Sequence, residues 1–270
     1  MKRFYFLLAI TILLGFSNCK RNDNNKKPEA IEKSNKLDGD KMIYGLACDG
    51  CSDSVIVFLP NEGGDPITYN IINANKKHKI FGHPEIGDWV GIMLNPKNPK
   101  EVEMVIDLDQ LKGTWTYQVM PTLKSSATKT TEEIEAELTD SIKKLIFIPR
   151  EYGFSLKRHY QATSVGMIFR GNSLSDESLV EYPPVPRLTE WHPYNGKLIL
   201  TRDTVDKERK RIPDNLIKRD TVEFVYMLDD TLALRMDGKI IGFHRQKNAM
   251  EANKKAMEAA AKQATKDSIR

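Results

Sequence analysis

The stretch Thr221–His244, TVEFVYMLDDTLALRMDGKIIGFH, decides the fold class. Val222, Phe224, Tyr226 and Leu228 fall on one face of an alternating strand. Asp229-Asp230 turns the chain, and Leu232, Leu234 and Met236 alternate back. Asp237-Gly238 is a two-residue hairpin signal before Lys239-Ile240-Ile241. Consecutive hairpins make an antiparallel meander, and an up-and-down barrel removes its exposed edges by closure. The expected fold class is all-β.

Working back from the meander, further strands are expected at Leu145–Ile148, Tyr152–Tyr160, Thr163–Arg170, Ser178–Tyr182 and Lys197–Thr201. Glu132–Lys144 carries Ile134, Leu138, Ile142 and Leu145 at helical spacing, which predicts one short helix across a barrel end. Pro183-Pro184-Val185-Pro186 is a stiff rim turn, and Lys207–Arg211 is a basic, solvated insert. At the start of this unit, Leu111-Lys112-Gly113-Thr114-Trp115 resembles the opening of lipocalin-like domains. That resemblance implies a lipocalin-like antiparallel barrel over residues 111–245, with Trp115 closing its base.

Ahead of it, residues 39–110 hold five apolar runs: Met42–Leu46, Val55–Leu59, Ile67–Ile72, Gly87–Leu94 and Val102–Ile106. None of the intervening stretches predicts a long helix, so a small barrel or roll is expected. The strand order and the phrase Ile86-Gly87-Asp88-Trp89-Val90 resemble an OB-type barrel.

The two ends are polar or exported. Phe4–Phe16 is an uncharged apolar run after Met1-Lys2-Arg3. As a helix it would reach about 20 Å, short of the roughly 30 Å hydrocarbon core, so it reads as a secretory leader. Gly15-Phe16-Ser17-Asn18-Cys19 resembles the lipobox of bacterial lipoproteins, with Phe16 and Asn18 in place of the usual residues. The resemblance implies removal of residues 1–18, lipidation of Cys19 and attachment through two or three acyl chains, which hold almost irreversibly. Lys20, in place of an inner-membrane-retaining Asp, leans towards the outer membrane of a Gram-negative bacterium. Residues 19–38 are then a polar tether spanning about 25 Å. Residues 246–270 are Ala-, Lys- and Glu-rich, with the pairs Glu251/Lys255 and Glu258/Lys262, and predict a short exposed C-terminal helix.

Charge and motifs narrow the function. With 41 Lys+Arg against 37 Asp+Glu, the net charge of +4 argues against a nucleic-acid partner. Three cysteines in 270 residues do not make a disulfide scaffold. A phosphate-binding loop, a His-Glu-x-x-His helix and a Gly-x-Ser-x-Gly elbow are all missing from the sequence, which weighs against an enzyme.

The one chemically pointed motif is Cys48-Asp49-Gly50-Cys51. In an oxidising compartment it could close a short disulfide. A redox role is opposed by Asp49 and Asp53, which raise a thiol's pKa. Cu(I) on two thiolates is a third reading, and no other cofactor is implied. Tyr44-Gly45-Leu46-Ala47 and this Cys-x-x-Cys also resemble the start of NlpE-type copper-homeostasis and envelope-stress lipoproteins. There the motif lies in the lipocalin-like unit, whereas here it falls in the OB-like one, so only a candidate redox or metal role is carried to Cys48 and Cys51.

The reading is a non-enzymatic, lipid-anchored envelope protein that binds a small apolar ligand or an envelope partner. Trp115, Phe169, Phe224 and Tyr226 are candidate liners of the barrel, or else plain core. A stress or copper sensor and an uncharacterised envelope enzyme are the alternatives.

Overall fold

Short alternating runs punctuated by Gly, Asp and Asn turns fold into two sheets, each curled on itself. The computed structural model describes residues 36–125, 129–166, 179–202, 213–247, 254 and 258. Among these the architecture is all-β, with a few helices of at most seven residues.

The first barrel contains β1 (Ile43–Ala47), β2 (Val55–Pro60), β3 (Ile67–Asn70), α1 (Ile72–Lys76), β4 (Ile80–Phe81), β5 (Trp89–Asn95) and β6 (Asn98–Asp107). β1 pairs with β2, β2 with β3, β5 with β6 and β5 with β1, all antiparallel. One parallel pair, Asn70↔Glu101, joins β3 to β6 and closes the ring. With α1 between the third and fourth barrel strands, this is the OB-like strand order that the sequence predicts. Ile56, Phe58, Val90, Ile92, Val102 and Val105 fill the interior. Gly45 is required where the ring tightens, because a Cβ there would lie 2.1 Å from the Leu59 carbonyl oxygen. The third run ends earlier than Ile72. The Asn70 side chain accepts from the Ile72 N–H at 2.9 Å, and that turn starts α1.

α2 (Leu108–Leu111) leads directly into the second barrel. Its strands are β7 (Gly113–Val119), β9 (Arg150–Leu156), β10 (Ala162–Val165), β12 (Leu188–Tyr194), β13 (Lys197–Arg202), β14 (Lys218–Leu228), β15 (Thr231–Met236) and β16 (Lys239–Gln246). The order is β10-β9-β7-β16-β15-β14-β13-β12, antiparallel throughout. The last strand returns to the first through His244↔Thr116, and the bridge Gln161↔Glu190 joins the two edges. This is the lipocalin-like up-and-down barrel that the meander predicts. Asp237-Gly238 and Asn195-Gly196 both take left-handed φ, as tight hairpin turns require.

Outside the ring, β8 (Thr122–Leu123) pairs with β11 (Val180–Glu181). α3 (Thr131–Glu137) and α4 (Asp140–Ile146) pack on this pair through Ile134, Leu138, Ile142 and Ile146. One helix was expected here and two are present. Thr139 ends the first and caps the second, accepting from the Ile142 N–H at 3.4 Å. The helix therefore runs on through Leu145, which points outward at 44% exposure, and no strand forms at Leu145–Ile148. In the C-terminal stretch, Lys254 and Glu258 are helical and 3.8 Å apart. Glu251, Lys255 and Lys262 lie outside the described residues, as do Lys207–Arg211 and the end of the strand expected at Thr163–Arg170.

The two barrels belong to one unit, Asn35–Arg270, and share one apolar cluster. Met42, Tyr44, Phe81, Ile106, Leu108 and Leu111 pack with Trp115, Trp191, Phe224 and Met227. Polar ties flank this contact. Gly82 N–H donates to the Met227 carbonyl at 2.8 Å. Asp40 accepts from the Tyr44 hydroxyl at 2.5 Å and from Asn195 N–H at 2.9 Å. Burial and the Asp40 carboxylate push the Tyr44 phenol far above its ordinary range, so it stays a donor.

Candidate functional site

The second barrel has a sealed end and a wetter end. Trp115 is fully buried at the sealed end. Its indole N–H donates to the Leu111 carbonyl at 2.8 Å, and the Arg245 guanidinium covers the ring at 4.2 Å. Arg245 is itself held by the carbonyls of Lys112 at 2.9 Å and Gln110 at 2.5 Å. Trp115 thus closes the base rather than lining a cavity. One layer further along, Phe243 sits 5.1 Å from both Tyr117 and Phe154. At the far end Tyr117, Ile241 and Met236 pack on the same cluster yet remain half-buried. Arg150 faces Val119 on that outer rung.

The candidate liners separate. Phe224 is buried, and its ring lies 5.3 Å from Phe81, so it serves the contact between the barrels. Tyr226 is not a liner. The β14–β15 register shifts between Phe224 and Tyr226, and this bulge turns Met227 inward. Tyr226 is left 47% exposed and Leu228 37% exposed. Phe169 lies outside the described residues. The inner residues missed by sequence reasoning are Tyr117, Phe154 and Phe243. Tyr117 could have been found by counting two residues on from Trp115.

A second concavity lies on the first barrel. The β1–β2 turn and the 83–86 loop are held side by side by Gly87 N–H to the Ala47 carbonyl at 2.8 Å and Ala47 N–H to the Asp88 carbonyl at 2.9 Å. Cys48, Cys51, His83 and Glu85 line a shallow groove of about 430 Å³ between them, with the strongly exposed Ile86 on its lip. Both cysteines are free, so the expected short disulfide is not formed. The turn is closed instead by ladder bonds, Cys48 N–H to the Val57 carbonyl at 2.8 Å and Ser52 N–H to the Val55 carbonyl at 2.9 Å. The Cys51 sulfur accepts from Val57 N–H at 3.4 Å and donates to the Cys48 carbonyl at 3.1 Å. Among the described residues, no group of three or more His, Cys, Asp or Glu gathers into a metal site. Cys19 lies outside the described residues.

Two polar clusters have the residue types of catalysis. On the outer face of the second barrel, the same His244 Nε2 lies 3.1 Å from Thr116 Oγ1 and 3.6 Å from Glu151 Oε2. A relay needs the two partners on opposite ring nitrogens, so this cluster does not activate the hydroxyl. Between the barrels, Asp107 is buried and caps α2, accepting from Gln110 N–H at 2.8 Å. Burial first, then Asp88 and Asp109, raises its carboxyl to about 6, with the backbone N–H groups of Gln110 and Asp109 opposing.

A folded pKa of about 6 above the ordinary 3.8 means that the folded state holds this proton more tightly. The stabilisation is therefore complete below about pH 4 and lost as pH rises through 6. Asn keeps the cap and resembles the protonated acid. Asp107→Asn is expected to stabilise by about 1–3 kcal/mol at pH 7.5 and to be near neutral at pH 4. Urea melts at the two pH values measure this, and an equal effect at both would contradict it.

No protein-family profile matches the chain, and no curated protein does. Among solved structures, it is similar to a lipocalin-like protein from Bacteroides thetaiotaomicron. The two are 18% identical, over 50% of this chain and 95% of that one, with a TM-score of 0.25. The fold assignment rests on the strand order.

Proposed function

We propose that this chain is a lipid-anchored, non-enzymatic binding module of the cell envelope that takes a small amphipathic ligand at the mouth of its eight-stranded barrel. The observation that carries the reading is the difference between the barrel's ends. The base is filled and capped by Trp115 and Arg245, while Tyr117, Ile241 and Met236 are apolar, inward-facing and only half-buried at the other end. Binding sites combine such apolar walls with a few polar groups. The leader-like run Phe4–Phe16 followed by Cys19 supports export and an outer-membrane anchor, with residues 20–38 as the tether.

Titration of the full chain with N-phenyl-1-naphthylamine tests the binding. All three tryptophans, Trp89, Trp115 and Trp191, belong to or pack on the shared cluster. Energy transfer from them to the probe should rise to saturation at micromolar concentrations, and probe binding should raise the melting temperature. A linear, unsaturable signal would reject the reading. Intact mass of the native protein tests the anchor, and an unmodified Cys19 would remove it.

A further inference from the structure

Among the described arginines of this barrel, Arg150 is the one with a buried guanidinium nitrogen that makes no hydrogen bond. It opens β9 with the same parity as buried Tyr152, Phe154 and Leu156, so it points into the mouth, opposite Val119. Arg202 is paired with Asp220, Arg235 with Glu223, and Arg245 with Asp230 and three carbonyls. Among the described residues no carboxylate forms an ion pair with Arg150; the Tyr152 side chain is a hydrogen-bond partner of the guanidinium, while its Nε is buried without a hydrogen bond. One face of the guanidinium rests on the Tyr182 ring at 3.5 Å. The protons of the neighbouring hydroxyls are directed elsewhere, so Tyr152 meets Arg150 as an acceptor only. Tyr152 donates to the Pro183 carbonyl at 2.9 Å and Tyr182 donates to the Ile148 carbonyl at 2.5 Å.

An unpaired guanidinium donor withdrawn from water is costly, and the cost is recovered only when an acceptor arrives. A carboxylate suits this fork, because it can accept two parallel N–H bonds. Directly inward of the cation lie the half-buried Tyr117 and Ile241, which suit an apolar chain.

We propose that Arg150 is the head-group site of the barrel mouth, and that the ligand class is a single-chain amphiphile with a carboxylate head. The inference rests on the binding reading above and adds the charge and orientation of the ligand. The head sits on Arg150 against Tyr182, and the tail runs inward past Tyr117.

The test is displacement of N-phenyl-1-naphthylamine from the full chain by dodecanoate and, separately, by dodecanol. The two competitors share a chain length and differ in head charge. Within each variant, the ratio of the two displacing concentrations cancels any change in probe affinity. The wild-type protein should favour dodecanoate by about tenfold or more, the size expected of a charge-assisted bond. Arg150→Gln should bring the ratio close to one, and Arg150→Lys, which keeps the charge but not the fork, should fall between. The wild-type preference should also shrink as salt is raised, which gives a readout that does not depend on either variant folding.

An undiminished preference in Arg150→Gln, or one insensitive to salt, overturns the proposal. If the probe binds but dodecanoate and dodecanol displace it equally, the head-group site fails while the binding reading stands. If the probe does not bind at all, both fail.

Discussion

Truncating Trp115 to Ala is expected to cost about 3–5 kcal/mol, the range for emptying a buried aromatic site. That is a large part of the roughly 5–15 kcal/mol that holds a typical domain folded. Three losses combine at this one position. The fully buried indole leaves a cavity at the barrel base. The Leu111 carbonyl loses its donor at 2.8 Å. Arg245, stacked at 4.2 Å, is left over a void. Trp115→Phe narrows the comparison, since it removes the N–H and part of the ring while keeping an aromatic in the site, and should cost less, about 1–3 kcal/mol. Urea denaturation with circular dichroism measures both. A cost below about 1 kcal/mol for Trp115→Ala would mean that the base is sealed by other contacts. Trp115 would then return to being a candidate ligand contact.

The features that the sequence showed well are those set by neighbours along the chain. The meander was readable because alternation and the Asp-Gly turn are local. Its misplaced residues, Tyr226 and Leu228, come from a bulge at Val225 that no local pattern announces, and whose result is to bring Met227 against Gly82 of the other barrel. The two helices at 131–146 were blurred into one because a Thr inside an amphipathic run reads as a tolerated helix residue until its side chain is seen capping. Arg245 was passed over because a charged residue at a strand end looks solvent-facing. Its parity with Phe243 and Ile241 is what places it under Trp115. The Cys-x-x-Cys turn forms one side of the first-barrel groove, but the His83 and Glu85 side comes from a loop more than thirty residues on, which no local pattern ties to the cysteines. Arg150 needed both the register opposite Val119 and the unmade bond at its Nε before it meant anything.

Phe81 is the residue whose loss should most change how the protein unfolds. It sits on the two-residue strand β4, is 1% exposed, and reaches across to Phe224 at 5.3 Å. Phe81→Ala should cost about 3–5 kcal/mol by the same cavity argument, which lowers the melting temperature by roughly 6–20 °C for a unit of this size. The larger consequence lies in cooperativity. Because one apolar cluster serves both barrels, the wild-type chain should melt in a single transition, with calorimetric and van't Hoff enthalpies equal. Each barrel keeps contacts of its own, Ile56, Phe58 and Val90 in the first, Phe154, Leu232 and Phe243 in the second. Weakening the shared part without touching these should let the barrels unfold separately. Scanning calorimetry of Phe81→Ala should then show a van't Hoff enthalpy below the calorimetric one, or two resolved peaks. Phe58→Ala supplies the contrast, since Phe58 belongs to the first barrel's own cluster. It should destabilise to a similar degree through the first barrel while leaving the coupling across the shared cluster intact. If Phe81→Ala melts in one transition like the wild type, the rest of the shared cluster together with the polar ties of Asp40 with Tyr44 and Asn195 is sufficient to couple the barrels. Phe81 would then fill a gap in the joint without holding it together.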